Sequence, residues 1–133
     1  MKALKAKMAR GLNVGSRIPT CDNSGAKMVQ ICSVRGHKTR RGRAQAGGIS
    51  DLITIAVIKG EPGLQHQLFP AVIVRMRRPF RRADGTHIKF EDNAVVVCKD
   101  DKGNPKGTMI KGAIAKEVAD RWPAIAKLAA III

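Results

Sequence analysis

Aromatic residues are scarce in this 133-residue chain, which has three Phe, one Trp and no Tyr. Proteins that hold unpaired strands stack bases on aromatic rings, at about 1–3 kcal/mol per base. Few rings are on offer here. Acids are scarce too, ten against 25 Lys and Arg, for a formal charge of +15 at neutral pH. A small soluble domain needs only about 2–8 charges, and a larger excess opposes compaction unless a polyanion neutralises it. Contact with phosphates and with the shape of folded RNA therefore fits better than base stacking. The cysteines are three, Cys21, Cys32 and Cys98, with no C-x-x-C pair and no sequence cluster with His37, His66 or His87. That pattern argues against a disulfide framework and against a zinc site, so reduced thiols are expected, and neither metal nor cofactor. No apolar run approaches the length of about 18 residues that a membrane span needs. The basic stretch Met1–Met8 lacks the apolar segment of a signal peptide, so the expectation is a soluble intracellular protein with no membrane partner.

What is present makes a core. With 44% hydrophobic residues in 133, a single domain can bury much of its unfolded surface. Charge is uneven along it: residues 1–50 hold eleven Lys and Arg and a single acid, Asp22. Strand-like segments dominate the middle. Lys27–Val34 is rich in β-formers, and Leu52–Ile58 is nearly continuous apolar sequence, as for a strand covered on both faces. Ala71–Met76, Thr86–Phe90 and Ala94–Cys98 complete the set, with a shorter strand around Ser16–Thr20. Turn chemistry separates them at Asp22–Gly25, Gly47-Gly48, Gly60–Gly63, Asp84-Gly85 and Asp101–Pro105. Five or six such strands suggest a small barrel, which removes exposed sheet edges. From Gly112 to Arg121, Ile114 and Val118 lie four apart and predict a short amphipathic helix. Pro123 suits the first position of a second one running to Leu128. The expected organisation is one domain over 1–133: a basic arm at 1–12, the barrel at 13–100 with its ribbon at 75–90, and a C-terminal loop and helices at 101–133.

Two basic constellations carry the chemistry. Residues 35–43 (RGHKTRRGR) place Arg35, Lys38, Arg40, Arg41 and Arg43 in nine positions with no acid. Glycines at 36, 42, 47 and 48 would let the backbone approach a phosphate chain. Such a loop repels itself in isolation and is expected to be mobile until RNA neutralises it. Residues 75–82 (RMRRPFRR) add Arg75, Arg77, Arg78, Arg81 and Arg82, five in eight positions. The Asp84-Gly85 pair that follows is a hairpin signal, so these arginines are expected on a ribbon projecting from the barrel. Guanidinium forks match phosphate oxygens bidentately. Catalytic readings are weak. Asp100-Asp101 and Glu91-Asp92 are paired carboxylates beside turns, and no nucleophile elbow, H-E-x-x-H helix or dinucleotide glycine pattern is present. An RNA-processing enzyme on a small barrel lacks its proton-transfer or metal constellation. A free-standing RNA-binding regulator is the other alternative.

At residue level the chain resembles a known family. Ala71-Val-Ile-Val74, nine residues, Asp84-Gly85, four residues, Phe90, then Asn93 and Val96-Val97 reproduce the signature of universal ribosomal protein fourteen of the large subunit. The resemblance spans nearly the whole chain. Cys21–Ala26 is similar to the family's N-terminal turn, Arg81–Gly85 to its ribbon tip and Gly112–Glu117 to its C-terminal helix. Phe90–Ala94 and Asp120–Pro123 are similar to the archaeal and eukaryotic branch, while Ala113 stands where the family commonly has Pro. The resemblance implies a mainly β fold: a small five-stranded β-barrel, a projecting basic β-ribbon and short C-terminal α-helices. It also implies a structural, non-enzymatic role in the cytoplasm, within the ribosome. Implied partners are large-subunit rRNA, small-subunit rRNA across a bridge, universal ribosomal protein three, large-subunit protein twenty-four and the anti-association initiation factor six. That factor is implied to dock on the C-terminal region, for which Lys116, Arg121 and Trp122 are the candidate contacts, with the Ile131–Ile133 tail as further apolar surface.

Overall fold

Apolar, β-branched runs cut by Gly, Pro, Asn and Asp become strands in the computed structural model, which describes residues 2–4 and 7–133. In chain order these are β1 (Arg10–Asn13), β2 (Arg17–Pro19), β3 (Ala26–Val34), β4 (Ala46–Gly48), β5 (Leu52–Gly60), β6 (Leu68–Arg75), β7 (Phe80–Arg81), β8 (His87–Ile88), β9 (Ala94–Val97) and β10 (Ile110–Ile114). Two helices follow, α1 (Lys116–Arg121) and α2 (Pro123–Leu128), and then β11 (Ala129–Ile132). The protein is mainly β, and both helices are short.

The main sheet has five strands in the order β2-β3-β5-β6-β9, each antiparallel to its neighbours. Its two edges meet. Thr20, directly after β2, bridges Val95 of β9 in parallel sense, and the Cys21 N–H donates to the Val95 carbonyl at 3.1 Å. The expected barrel is thus a curled five-stranded sheet whose edges join at one bridge rather than along a full ladder. Inside lie Ile18, Val29, Ile31, Ile53, Ile55, Ile73 and Val95, all essentially inaccessible. Burying each such side chain stabilises the fold by about 1.5–3 kcal/mol. Cys21 and Cys98 are buried beside this seam, and loss of hydration pushes both thiols up to about 12.

Burial along the strands follows what covers them. In β5, Ile53, Ile55 and Val57 are buried while Leu52, Thr54, Ala56 and Ile58 are half-exposed, so one face is only partly covered, contrary to the two-sided cover expected. Ala71–Val74 and Ala94–Val97 are buried at every position, because the C-terminal segment lies across them. Ala115 N–H donates to the Val74 carbonyl at 3.2 Å, and Ile114, Val118, Trp122 and Ile125 are fully buried. Apolar runs without alternation are what cover on both sides produces.

The C-terminal helix expected from Gly112 begins later. Residues 110–114 are instead a strand, paired in parallel with β11, and Gly112 has φ +80°, in the left-handed region that a helix does not use. The stretch expected to form a strand at Thr86–Phe90 is reduced to the two-residue β8, paired with β7. That ribbon is also tied down rather than freely projecting: Phe80 is 1% exposed and belongs to the core.

Asp22 is a buried acid in this frame. Its carboxylate accepts the Val97 N–H at 3.0 Å and the Ser24 hydroxyl at 2.9 Å. Lost hydration raises its pKa above the ordinary 3.8, and the bonds from Ser24 and Val97 only partly oppose that. The folded state therefore keeps this proton to higher pH than the unfolded chain, and the contribution of Asp22 to stability falls as pH rises past the ordinary carboxylate range. Asp22→Asn is expected to keep the Val97 N–H bond through its one amide oxygen, and to turn the Ser24 bond round so that the amide N–H donates to the hydroxyl oxygen. It also removes the pH-dependent part, so it gains on wild type as pH rises past the ordinary carboxylate range. Asp22→Ala orphans the Val97 N–H and is expected to cost about 1–3 kcal/mol. Denaturation midpoints across pH check both, and a wild-type curve parallel to that of the Asn variant would contradict the burial argument.

Candidate nucleic-acid interface

The loop after β3 is fixed at its base and free at its tip. Val34 N–H donates to Gln45 Oε1 at 3.0 Å, Gln45 Nε2 donates to the His37 carbonyl at 2.9 Å, and Ala46 N–H donates to His37 Nδ1 at 3.1 Å. Between these anchors the chain bows into a concavity of about 450 Å³ lined by Lys38, Thr39, Arg40, Arg41 and Arg43. Lys38, Arg40, Arg41 and Arg43 are exposed, and none has an ion-pair partner among the described residues. Arg35 differs, because it pairs with Asp101 at 3.0 Å on the surface, where such a pair contributes about 0–1 kcal/mol and can open to a phosphate.

The loop glycines split into two kinds. Gly36 and Gly42 have φ of +73° and +66° with open space around them, as a turn facing a ligand requires. Gly47 and Gly48 are buried in β4. A Cβ on Gly48 would lie 2.4 Å from the Ala9 carbonyl oxygen, and one on Gly47 would lie 2.9 Å from Ile73 Cδ1. The second pair serves packing, which corrects the expectation that all four glycines face phosphates.

The second constellation divides in the same way. Arg77, Arg78 and Arg81 are exposed. Arg75 and Arg82 turn inward. The ladder between β6 and β9 slips between Ile73 and Arg75, and such a bulge re-aims a side chain. Arg75 meets Asp92 through Nε at 2.9 Å and Nη2 at 3.1 Å, and its Nη1 donates to the carbonyls of Lys111 and Ala113. Arg82 Nε meets Glu117 at 2.8 Å and its Nη2 donates to the Ile133 carbonyl oxygen at 2.6 Å. Their donors are committed within the fold. Arg75 and Arg82 are therefore not presented to phosphates as expected, because acids and carbonyls distant in sequence already occupy them.

A strand missed in the sequence joins the two basic regions. β1 pairs with β4 at the foot of the loop, and on its other side Arg78 lies along it. A Cβ on Gly11 would come within 2.9 Å of Arg78 Cδ, and Arg78 Nη1 approaches the Arg10 carbonyl at 3.4 Å. Arg10, exposed on this strand, thus stands between the loop and the ribbon. Through β1 the foot of the Arg40–Arg43 loop is joined to Arg10 and Arg78. The only sequence sign of β1 was the single apolar Leu12 in Arg10–Asn13, too short and glycine-broken a segment to separate from a basic arm.

The candidate protein-contact residues scatter. Lys116 is exposed. Arg121 is only one-fifth exposed and lies 3.6 Å from Asp51. Trp122 is 1% exposed, with its indole N–H donating to the Ser50 carbonyl at 3.0 Å. A ring so enclosed is a core group and not a docking contact, which corrects that expectation. Ile131 and Ile132 of β11, and Ile133 just after it, are about half exposed.

The sequence profile of ribosomal protein L14p/L23e matches residues 11–133. The chain belongs to that family. Curated relatives cover it from end to end: the large ribosomal subunit protein uL14 of Nanoarchaeum equitans is 53% identical over 133 residues, all of both chains. The proteins of the same name from Halobacterium salinarum and Halorubrum lacusprofundi are 48% and 46% identical over the same full length. The match is to the archaeal type, as Phe90–Ala94 and Asp120–Pro123 suggested. A member of this ribosomal family is a structural component and not an enzyme, so the carboxylates at 91–92 and 100–101 need no catalytic explanation.

Proposed function

We propose that this protein is a structural component of the large ribosomal subunit that holds large-subunit rRNA along the tract from Arg40–Arg43 through Arg10 to Arg77 and Arg78. One observation carries the reading: the exposed arginines of this tract lack acidic partners among the described residues, while four others are paired with Asp101, Asp92, Glu117 and Asp51. Unpaired guanidinium groups, with few aromatic rings, suit phosphates and RNA shape. Residues 110–133, with Lys116 and the exposed β11 isoleucines, are the protein-facing part. By family likeness its neighbours are universal ribosomal protein three, large-subunit protein twenty-four and the anti-association initiation factor six, and the protein contributes to a bridge with small-subunit rRNA. It works in the cytoplasm, within the ribosome. Gradient sedimentation of a cell extract tests the reading. The protein is expected entirely with large subunits and whole ribosomes, and released only by high salt, since each phosphate contact adds roughly 0.7–0.9 to the salt slope. A protein found mainly at the top of the gradient would instead be a free-standing RNA-binding regulator.

A further inference from the structure

Residues 110–133 form a unit of their own: β10 pairs only with β11 among the described strands, and the helices between them have six residues each and no side-chain caps. Helices this short are marginal alone. Burial of Ile114, Val118, Trp122 and Ile125 attaches the unit to the sheet, but apolar attraction is non-directional. Direction comes in part from the bonds of Lys111 N–H to the Cys21 carbonyl, Ala115 N–H to the Val74 carbonyl and the Trp122 indole N–H to the Ser50 carbonyl. Three arginines add to it, each at a different point. Arg75 reaches from the end of β6 to the carbonyls of Lys111 and Ala113 in β10. Arg82 reaches from the ribbon to Glu117 in α1 and to the Ile133 carbonyl oxygen beyond β11, the same oxygen that accepts the Lys116 N–H at 2.7 Å. Arg121 reaches from the end of α1 to Asp51 and to the Ser50 carbonyl. All three are at most one-fifth exposed at the side chain.

We propose that Arg75, Arg82 and Arg121 are positioning residues, guanidinium straps that hold residues 110–133 in one fixed placement on the sheet and make no contact with rRNA. The two arginine classes then do different work: outward groups bind RNA, inward groups set where the protein-facing end stands relative to it. This rests on the reading that the outward tract meets rRNA. Arg75 and Arg82 each use several guanidinium nitrogens at once, which an ammonium cannot reproduce. Arg121, by contrast, reaches both of its partners through Nη1 alone. Arg82 is the sharpest case, because it ties ribbon, α1 and β11 through a single group.

The test uses the full chain carrying Arg82→Ala or, in a second variant, Arg82→Lys. Amide hydrogen exchange is followed at Lys116 and Ile133, which mark the α1–β11 junction, and at β5. Binding to transcribed large-subunit rRNA is titrated at several salt concentrations. Both variants are expected to speed exchange at the two marker amides by about tenfold or more, with β5 little changed, as for local opening. The salt slope is expected to stay at the wild-type value. A slope lower by about 0.7–0.9 for Arg82→Ala makes Arg82 an rRNA contact and overturns the proposal. Unchanged marker exchange overturns it too, as does equal acceleration in β5. The paired change Arg77→Ala with Arg78→Ala separates the two ideas: a slope unchanged from wild type there sinks the rRNA reading, whereas the exchange rates decide the straps.

Discussion

Replacing Trp122 by Ala is expected to cost the protein about 3–5 kcal/mol, the range for deleting a large ring from a packed core. Total stability for domains of this kind is about 5–15 kcal/mol, so the loss is a large share of it. The ring is sealed by an unusual neighbour. Gly103, at φ +83°, lies so close that a Cβ there would fall 2.2 Å from Trp122 Cε3, and the only residue that permits this approach sits in the turn before β10. Trp122→Phe keeps most of the volume and removes the N–H to Ser50. The Ser50 carbonyl retains Arg121 Nη1 at 3.4 Å, so this milder change is expected to cost about 1–2 kcal/mol. Denaturant titration followed by circular dichroism measures both, and an Ala variant within 1 kcal/mol of wild type would show that the ring is not part of the core.

Neutralising the loop tip is expected to act on RNA and leave the fold alone. Arg40, Arg41 and Arg43 have no partner among the described residues, so their joint change to Ala leaves the thermal midpoint of the free protein unchanged. Three lost phosphate contacts lower the salt slope by about 2–3, which at roughly 0.1 M salt is a loss of about two decades in affinity. Folded large-subunit rRNA is the probe, titrated at several ionic strengths. An unchanged slope would place the contacts elsewhere on the tract, and a lowered thermal midpoint would mean the tip is packed.

The central strands were legible in the sequence because their information is local. β3, β5, β6 and β9 are runs of β-branched residues bounded by turn residues, and the structure places each within a few positions of its expected ends. β1 and β4 were not legible: each is short and glycine-containing, and their reason to exist is one another. β10 misled through spacing. Ile114 and Val118 stand four apart like a helix face, yet Ile114 belongs to a strand and only Val118 to α1. Among the arginines, residue type and density predicted a basic surface, but Arg75 and Arg78 look the same in sequence. What distinguishes them is Asp92, seventeen residues further on, which claims Arg75. The same holds for Trp122, whose burial depends on Gly103 and Ser50.

The seam between Thr20 and Val95 sets an order of events during synthesis. Its partners are 75 residues apart, and pairings of long sequence separation form slowly because loop closure precedes any gain. While the chain is emerging, β2, β3 and β5 can assemble as a meander, but the sheet cannot close until β9 has left the exit tunnel. The straps come later still, since Arg82 waits for Glu117 and for Ile133. A nascent chain therefore carries its basic loop into the cell well before its C-terminal face exists. Polyanion binding can begin on an unfinished molecule, and recruitment of a protein to the C-terminal face cannot. Assembly order is thereby written into chain order.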